Sequence, residues 1–336
     1  MTATPSPRTF GPRETLLLLA LAGMWGLSFL FIELALRGVG PMWIVVGRTG
    51  MGALVLLLVL RLRRQPLPGT LLLWRRLLLL GIITNAVPWS AVAWAQQSLP
   101  SGLVALLMAA VPTSTLVVSV LVGLERFTVR RVLGLTLALS GVGLTVAADL
   151  GDPGRLVAIG VVIVATVMYA SGAVYASRRV SGSSSPLTIA VGQVVSAFLV
   201  TVPVALVLDP LPDPAALTPT VVGALVALGA LGTGIAFLVF YTLIERVGAT
   251  NTTLVTYLIP LVAVVAGAVV LAERLAVPAM LGGGLIVVGV WLAQRGTAPT
   301  PAKELEQVPT DPLATTPGGA LPQVDHDPDG TGGRGE

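Results

Sequence analysis

The chain has no cysteine, and its single histidine, His326, lies in a polar stretch near the end. No disulfide framework, thiolate metal site or cysteine nucleophile can be built from it. A histidine-based metal centre or acid–base catalyst inside an apolar core is excluded as well. Charge is also scarce: Asp, Glu, Lys and Arg make up 11% of the 336 residues, where a soluble domain carries about a quarter. There is no P-loop, no HExxH motif and no pair of acids deep in an apolar run. ATP drive and intramembrane hydrolysis therefore lack their residues, and the chain reads as a non-enzyme that needs no cofactor and no metal. What abounds is apolar: 54% of the residues are hydrophobic, with a mean hydropathy of +0.90. This is the composition of a polytopic membrane protein.

A spanning helix needs about 20 mostly apolar residues. Ten runs qualify, at 15–36, 41–60, 71–95, 102–123, 132–148, 156–177, 187–208, 221–243, 250–271 and 277–294. The fold expected is an all-α integral membrane protein of ten transmembrane helices, with loops too short for a soluble domain. Ala20-Leu21-Ala22 resembles a signal-peptide cleavage site. The apolar core before it is too short for a signal peptide and the run continues past it, so no cleavage is expected. The last stretch, 297–336, is rich in Pro, Gly, Thr and Asp and holds seven acids and two bases. It reads as a disordered cytoplasmic tail.

The sequence pI of about 10.1 does not point to nucleic acid. With a short cytoplasmic segment at 1–14, sixteen Lys and Arg fall in or beside inside segments and three, Arg37, Arg155 and Arg274, in outside loops. That asymmetry predicts a multi-pass protein of the cell membrane with both termini cytoplasmic.

The sequence also repeats itself. At an offset of 148, Gly81 falls on Gly229, Pro112 on Pro260, Glu125 on Glu273, Arg126 on Arg274, Gly134 on Gly282 and Gly141 on Gly289. At slightly shorter offsets Met24-Trp25 falls on Met168-Tyr169, and Gly47-Arg48 on Gly192-Gln193. Two five-helix repeats follow, at 15–149 and 155–296. Five is odd, so the second must cross the membrane in the opposite sense. Inverted repeats of this kind build transporters, with the substrate held near the midplane between the halves.

The run from Pro112 through Glu125-Arg126 to Gly143, its echo from Pro260 through Glu273-Arg274 to Gly289, Trp25-Gly26 with Ser28-Phe29, and Arg48 together resemble the EamA branch of the drug/metabolite transporter superfamily. The resemblance covers roughly 15–294. It implies a ten-helix inverted-repeat carrier of metabolites, often an exporter of amino acids or similar small molecules. Trp25, Ser28 and Arg48 correspond in the second half to Tyr169, Gly172 and Gln193. A role at those positions is better founded in the first half.

Candidate residues follow from position and type. Pro112 and Pro260 fall mid-run and would free the carbonyls of Met108 and Thr256. Interrupted helices at matching places point to a transport site, whereas hydroxyls such as those of Thr113 and Thr256 would repair an ordinary kink. Arg48 lies inside the second run. Its expected partner is Glu33, the only acid well inside an apolar run. An intramembrane ionisable residue defaults to a functional reading, here gating or proton coupling, against a static pair or Arg48 reaching outward. Glu125 and Glu273 end helices beside an Arg and read as structural, anchoring loops or capping the following helix. The recurring glycines read as close packing, within the chain or between two copies in a homodimer.

The pocket candidates are Trp25, Ser28, Asn85, Trp89, Trp94, Tyr169, Tyr175, Tyr241 and Tyr257. A neutral, aromatic lining suits a zwitterionic or neutral amphipathic small molecule. Two alternatives stand beside a solute carrier: a lipid or prenyl-carrier flippase on the same fold, and a non-transport membrane protein such as a receptor.

Overall fold

The structure, a computed structural model, describes residues 11–147 and 151–294. The segment 1–10 and the expected tail at 297–336 lie outside the described residues. Ten helices follow in order: α1 (Pro12–Leu36), α2 (Pro41–Leu62), α3 (Leu71–Ala95), α4 (Ser101–Leu121), α5 (Val129–Ala147), α6 (Pro153–Arg179), α7 (Pro186–Leu208), α8 (Pro219–Val247), α9 (Val255–Val270) and α10 (Val277–Gln294). No strand occurs among the described residues. In lipid every backbone donor and acceptor must be met within the chain, which a helix does by itself.

Helix starts are written in the sequence. Proline opens α1, α2, α6, α7 and α8, where its missing N–H costs nothing. The side chains of Thr70, Asp152, Ser185 and Thr218 accept from backbone N–H groups in the first turns of α3, α6, α7 and α8. Among the described residues, nine helices are long and apolar enough to cross a membrane. The tenth, α9, has 16 residues and follows a separate helical turn, Ala249–Thr252. It starts later than the sequence suggests, because Thr256 and Tyr257 donate to the carbonyls of Thr253 and Leu254 in tight turns that break the helix there.

Ten crossings bring the start of α1 and the end of α10 to one face, called the terminal face here. The loops before α2, α4, α6, α8 and α10 meet the opposite, distal face.

The repeat is visible in the backbone. α3 widens into a π-helical turn at Ile82–Ala86, and α8 does so at Ala230–Ile235. Such bulges accompany functional sites. The glycine before each turn is a point of close approach. A Cβ on Gly81 would collide with the Gln193 carbonyl of α7, and one on Gly229 would lie 3.1 Å from the Arg48 carbonyl of α2. Gln193 is the repeat counterpart of Arg48, so one contact is made twice. α5 and α10 likewise meet through their glycines. A Cβ on Gly134 would lie 2.5 Å from the Gly289 carbonyl, and one on Gly141 2.5 Å from that of Gly282. These glycine faces are thus packed within the chain.

The helix interruption expected at Pro112 is present. α4 is two pieces, Ser101–Met108 and Val111–Leu121, and Pro112 is the second residue of the second piece. The break comes before it, where the Ala110 N–H turns back to the Leu107 carbonyl. Pro260, by contrast, lies inside α9.

Candidate functional site

Among the described residues, Arg48 is the one buried cation. Arg48 is 8% exposed, although it lies in an apolar helix. Its Nε donates to Thr233 Oγ1 at 3.1 Å, inside the π-helical turn of α8. Its guanidinium carbon lies 3.8 Å from the centre of the Trp89 ring on α3, just past the other π-helical turn. Trp89 Nε1 donates in turn to the Tyr169 hydroxyl on α6. Two helices from each repeat thus converge on one guanidinium. A π-helical turn adds a residue to the turn and turns side chains toward a neighbour that a regular helix would face elsewhere. That displacement carries Thr233 to Arg48.

Glu33 is not part of this group, and the expected Glu33–Arg48 pair is absent. Glu33 sits on α1 near the distal face, in electrostatic range of Arg37 and Glu273. Sequence depth put Arg48 and Glu33 in the same leaflet, but Glu33 lies one turn from the end of α1 among the distal loops, whereas Arg48 lies two turns into α2 between Thr233 and Trp89.

Around the cluster, Asn85 is 2% exposed; its Oδ1 accepts from Thr84 Oγ1 at 3.1 Å, and its Nδ2 is buried without a partner. Thr113 Oγ1 is also buried and unpartnered. Met108, Trp89 and Tyr169 share one apolar cluster with Phe29 and Phe237. Ser28 donates to the Met24 carbonyl at 2.9 Å, and its hydroxyl stands against Gly232 of α8. Trp25 stacks at 5.3 Å on Phe240, which meets Tyr241 at 5.5 Å, giving α1 and α8 an aromatic wall.

Other candidates sit elsewhere. Tyr175 packs with Leu73, Leu77 and Val180 between α3 and α6. Tyr257 donates to Gln294 at the end of α10, near the terminal face. The Thr256 hydroxyl bonds back to the Thr253 carbonyl at 2.7 Å, in the turn that opens α9. Trp94 is 42% exposed. The sequence reading missed Thr233 altogether, although the offset of 148 places it on Asn85.

The two helix-end acids behave differently. Glu273 does not cap the helix that follows it. Its Oε1 accepts the Ser101 N–H at 2.8 Å and its Oε2 the Gly102 N–H at 3.1 Å, capping α4 of the other repeat at the distal face. Its counterpart Glu125 pairs with Arg131 at 2.9 Å, in the first turn of the helix that follows it, α5 of its own repeat. The distal piece of α4 packs on α9, while the piece from Val111 to Leu121 packs on α6.

A profile of the EamA-like transporter family matches this sequence twice, at residues 13–147 and 156–294. The chain belongs to that family. It is 30% identical over 297 residues to the uncharacterized inner membrane transporter YedA of Escherichia coli (strain K12), covering 85% of this chain and 92% of that protein. It is 25% identical to an uncharacterized transporter of Archaeoglobus fulgidus, over 81% of this chain and 95% of the other. With the uncharacterized transporter YvbV of Bacillus subtilis (strain 168) it shares 28% identity, over 83% and 91%. A solved crystal structure resembles the fold with a TM-score of 0.59 and 19% identity, covering 84% of this chain and 96% of that one. This EamA-like chain is therefore a multi-pass membrane protein of a transporter family. Its ten helices form two repeats.

Proposed function

We propose that the chain is a secondary carrier that exports small zwitterionic or neutral amphipathic solutes, such as amino acids, by alternating access. The observation that carries this reading is the Arg48–Trp89–Tyr169–Thr233 cluster. It joins both repeats at their matched π-helical turns and offers a guanidinium to a carboxylate with aromatic faces beside it. Among the described residues no acid neutralises that guanidinium, so its charge is left for a solute. The unequal roles of Glu273 and Glu125 support alternating access. One repeat clasps the other at the distal face, and the equivalent acid at the terminal face is held by Arg131 within its own repeat. In this reading the distal gate is shut, and the terminal face is cytoplasmic, in keeping with the arginine bias.

The test is efflux of isotope-labelled neutral amino acids from cells that overproduce the chain. Faster efflux is expected, falling to background with Arg48→Met. Equal efflux with and without the chain, across the labelled set, would remove amino acids as substrates.

A further inference from the structure

The distal face carries a second polar feature that the central cluster does not use. A cavity of about 630 Å³ opens between the loops before α2, α4 and α8. Its walls are tied across the repeats. The Met42 N–H donates to Asp209 at 2.7 Å, and Trp43 Nε1 to the Pro210 carbonyl at 2.9 Å. Glu33 and Gln96 both line the cavity. Gln96 is 3% exposed and is fixed by its Nε2, which donates to the Phe29 carbonyl at 2.9 Å. Phe29 is one helical turn before Glu33 on α1, so that bond sets the amide beside the carboxyl. With the nitrogen committed, the amide must present its oxygen. Gln96 Oε1 and Glu33 Oε2 are both buried acceptors without a donor. Folded proteins leave few buried polar atoms unmet, and two acceptors in one cavity call for a donor from outside the chain.

We propose that this cavity binds one positively charged group, an inorganic cation or a solute ammonium, through Glu33 Oε2 and Gln96 Oε1. The charged groups around Glu33 are Glu273, which adds to the negative field, and Arg37, which opposes it. Asp213 lines the same cavity. Arg37 is exposed, so it competes weakly for the carboxylate. The site is separate from the Arg48 cluster and goes beyond the transport reading. Its test reads binding alone, so its failure would leave transport untouched, and failed transport would leave this site standing.

The full chain, purified in detergent, is unfolded by heat while sodium chloride replaces choline chloride at constant ionic strength. A second series replaces choline with ethylammonium chloride. Choline buries its charge beneath methyl groups, so it brings neither a bare cation nor a charged N–H to the two oxygens and serves as the weakly binding reference. A saturable rise in Tm is expected in at least one series. Sodium alone assigns an inorganic cation, and ethylammonium alone assigns an amine. Glu33→Gln is expected to weaken the effective probe by about tenfold, as a charged acceptor becomes neutral. Arg37→Gln, at an exposed position, is expected to tighten it. No saturable rise with either probe overturns the proposal. So does a rise that Glu33→Gln leaves unchanged. If Glu33→Gln does not fold, an affinity unmoved by Arg37→Gln overturns it.

Discussion

Arg48 donates to Thr233 across the boundary between the repeats, and among the described residues no carboxylate pairs with it. A charged residue at a membrane-helix centre costs about 2.5–3.5 kcal/mol. A hydrogen bond to a charged group contributes about 1.5–3 kcal/mol, and a desolvated cation–π contact about 2 kcal/mol. Thr233 and the Trp89 ring together are enough to hold the guanidinium.

That balance separates two substitutions. Thr233→Val leaves the guanidinium short of a partner and should cost about 1.5–3 kcal/mol. Arg48→Met removes the charge, while Thr233 keeps its bond to the Leu228 carbonyl. Its stability should stay within about 1 kcal/mol of the parent, yet transport should be lost. Thermal unfolding in detergent beside a flux assay reads both. Arg48→Met with parental flux would detach the guanidinium from function.

The α5–α10 contact predicts a contrast two residues apart. A Cβ at Gly141 would lie 2.5 Å from the Gly282 carbonyl, whereas one at Gly143 meets nothing within 4 Å. Gly141→Ala should destabilise by about 1–3 kcal/mol and Gly143→Ala should be neutral or slightly stabilising. Equal melting temperatures for the two variants would mean that α5 and α10 do not approach this closely.

Glu273 should act as a latch. Glu273→Ala removes the acceptor for the Ser101 and Gly102 N–H groups and should cost about 0.5–2 kcal/mol. In the alternating-access reading it also frees the distal gate. The parental chain has no cysteine, so Met108→Cys gives a single probe. Its reaction with a membrane-impermeant thiol reagent from the distal face should rise when Glu273→Ala is added. An unchanged rate would leave Glu273 a cap and nothing more.

Orientation has its own test. Reporter fusions after Glu14 and after Gln294 should both report cytoplasm. A periplasmic signal from one alone would contradict the inverted repeat, and from both would reverse the assignment of the faces.

Much of the fold was readable because apolar run length is a one-dimensional quantity. The runs at 71–95 and 277–294 match α3 and α10, and the offset of 148 reappears as paired π-helical turns. The late start of α9 was not readable, since tight turns at Thr253 and Leu254 carry no proline or glycine. The site was legible as residue types but not as partners. Depth along a helix can be counted from sequence, and direction around it cannot. Glu33 lines the distal cavity and Arg48 lies between Thr233 and Trp89, a separation that depth alone did not reveal. Tyr257 falls well inside the expected run 250–271, yet it sits at the start of α9 and bonds to Gln294 of α10, while Tyr175 packs against α3. Thr233 was hidden because threonine is ordinary in an apolar helix; only its place opposite Asn85 in the repeat marks it.

The central claim is that small organic solutes cross between the repeats past Arg48, Trp89 and Tyr169. The most direct measurement compares, by untargeted mass spectrometry, the metabolites inside and outside cells producing the parental chain, Arg48→Met or Trp89→Ala at matched levels in the membrane. The account predicts at least one small organic metabolite redistributed by the parental chain and left at the control level by both variants. No redistribution by the parental chain, or the same redistribution by both variants, would contradict it.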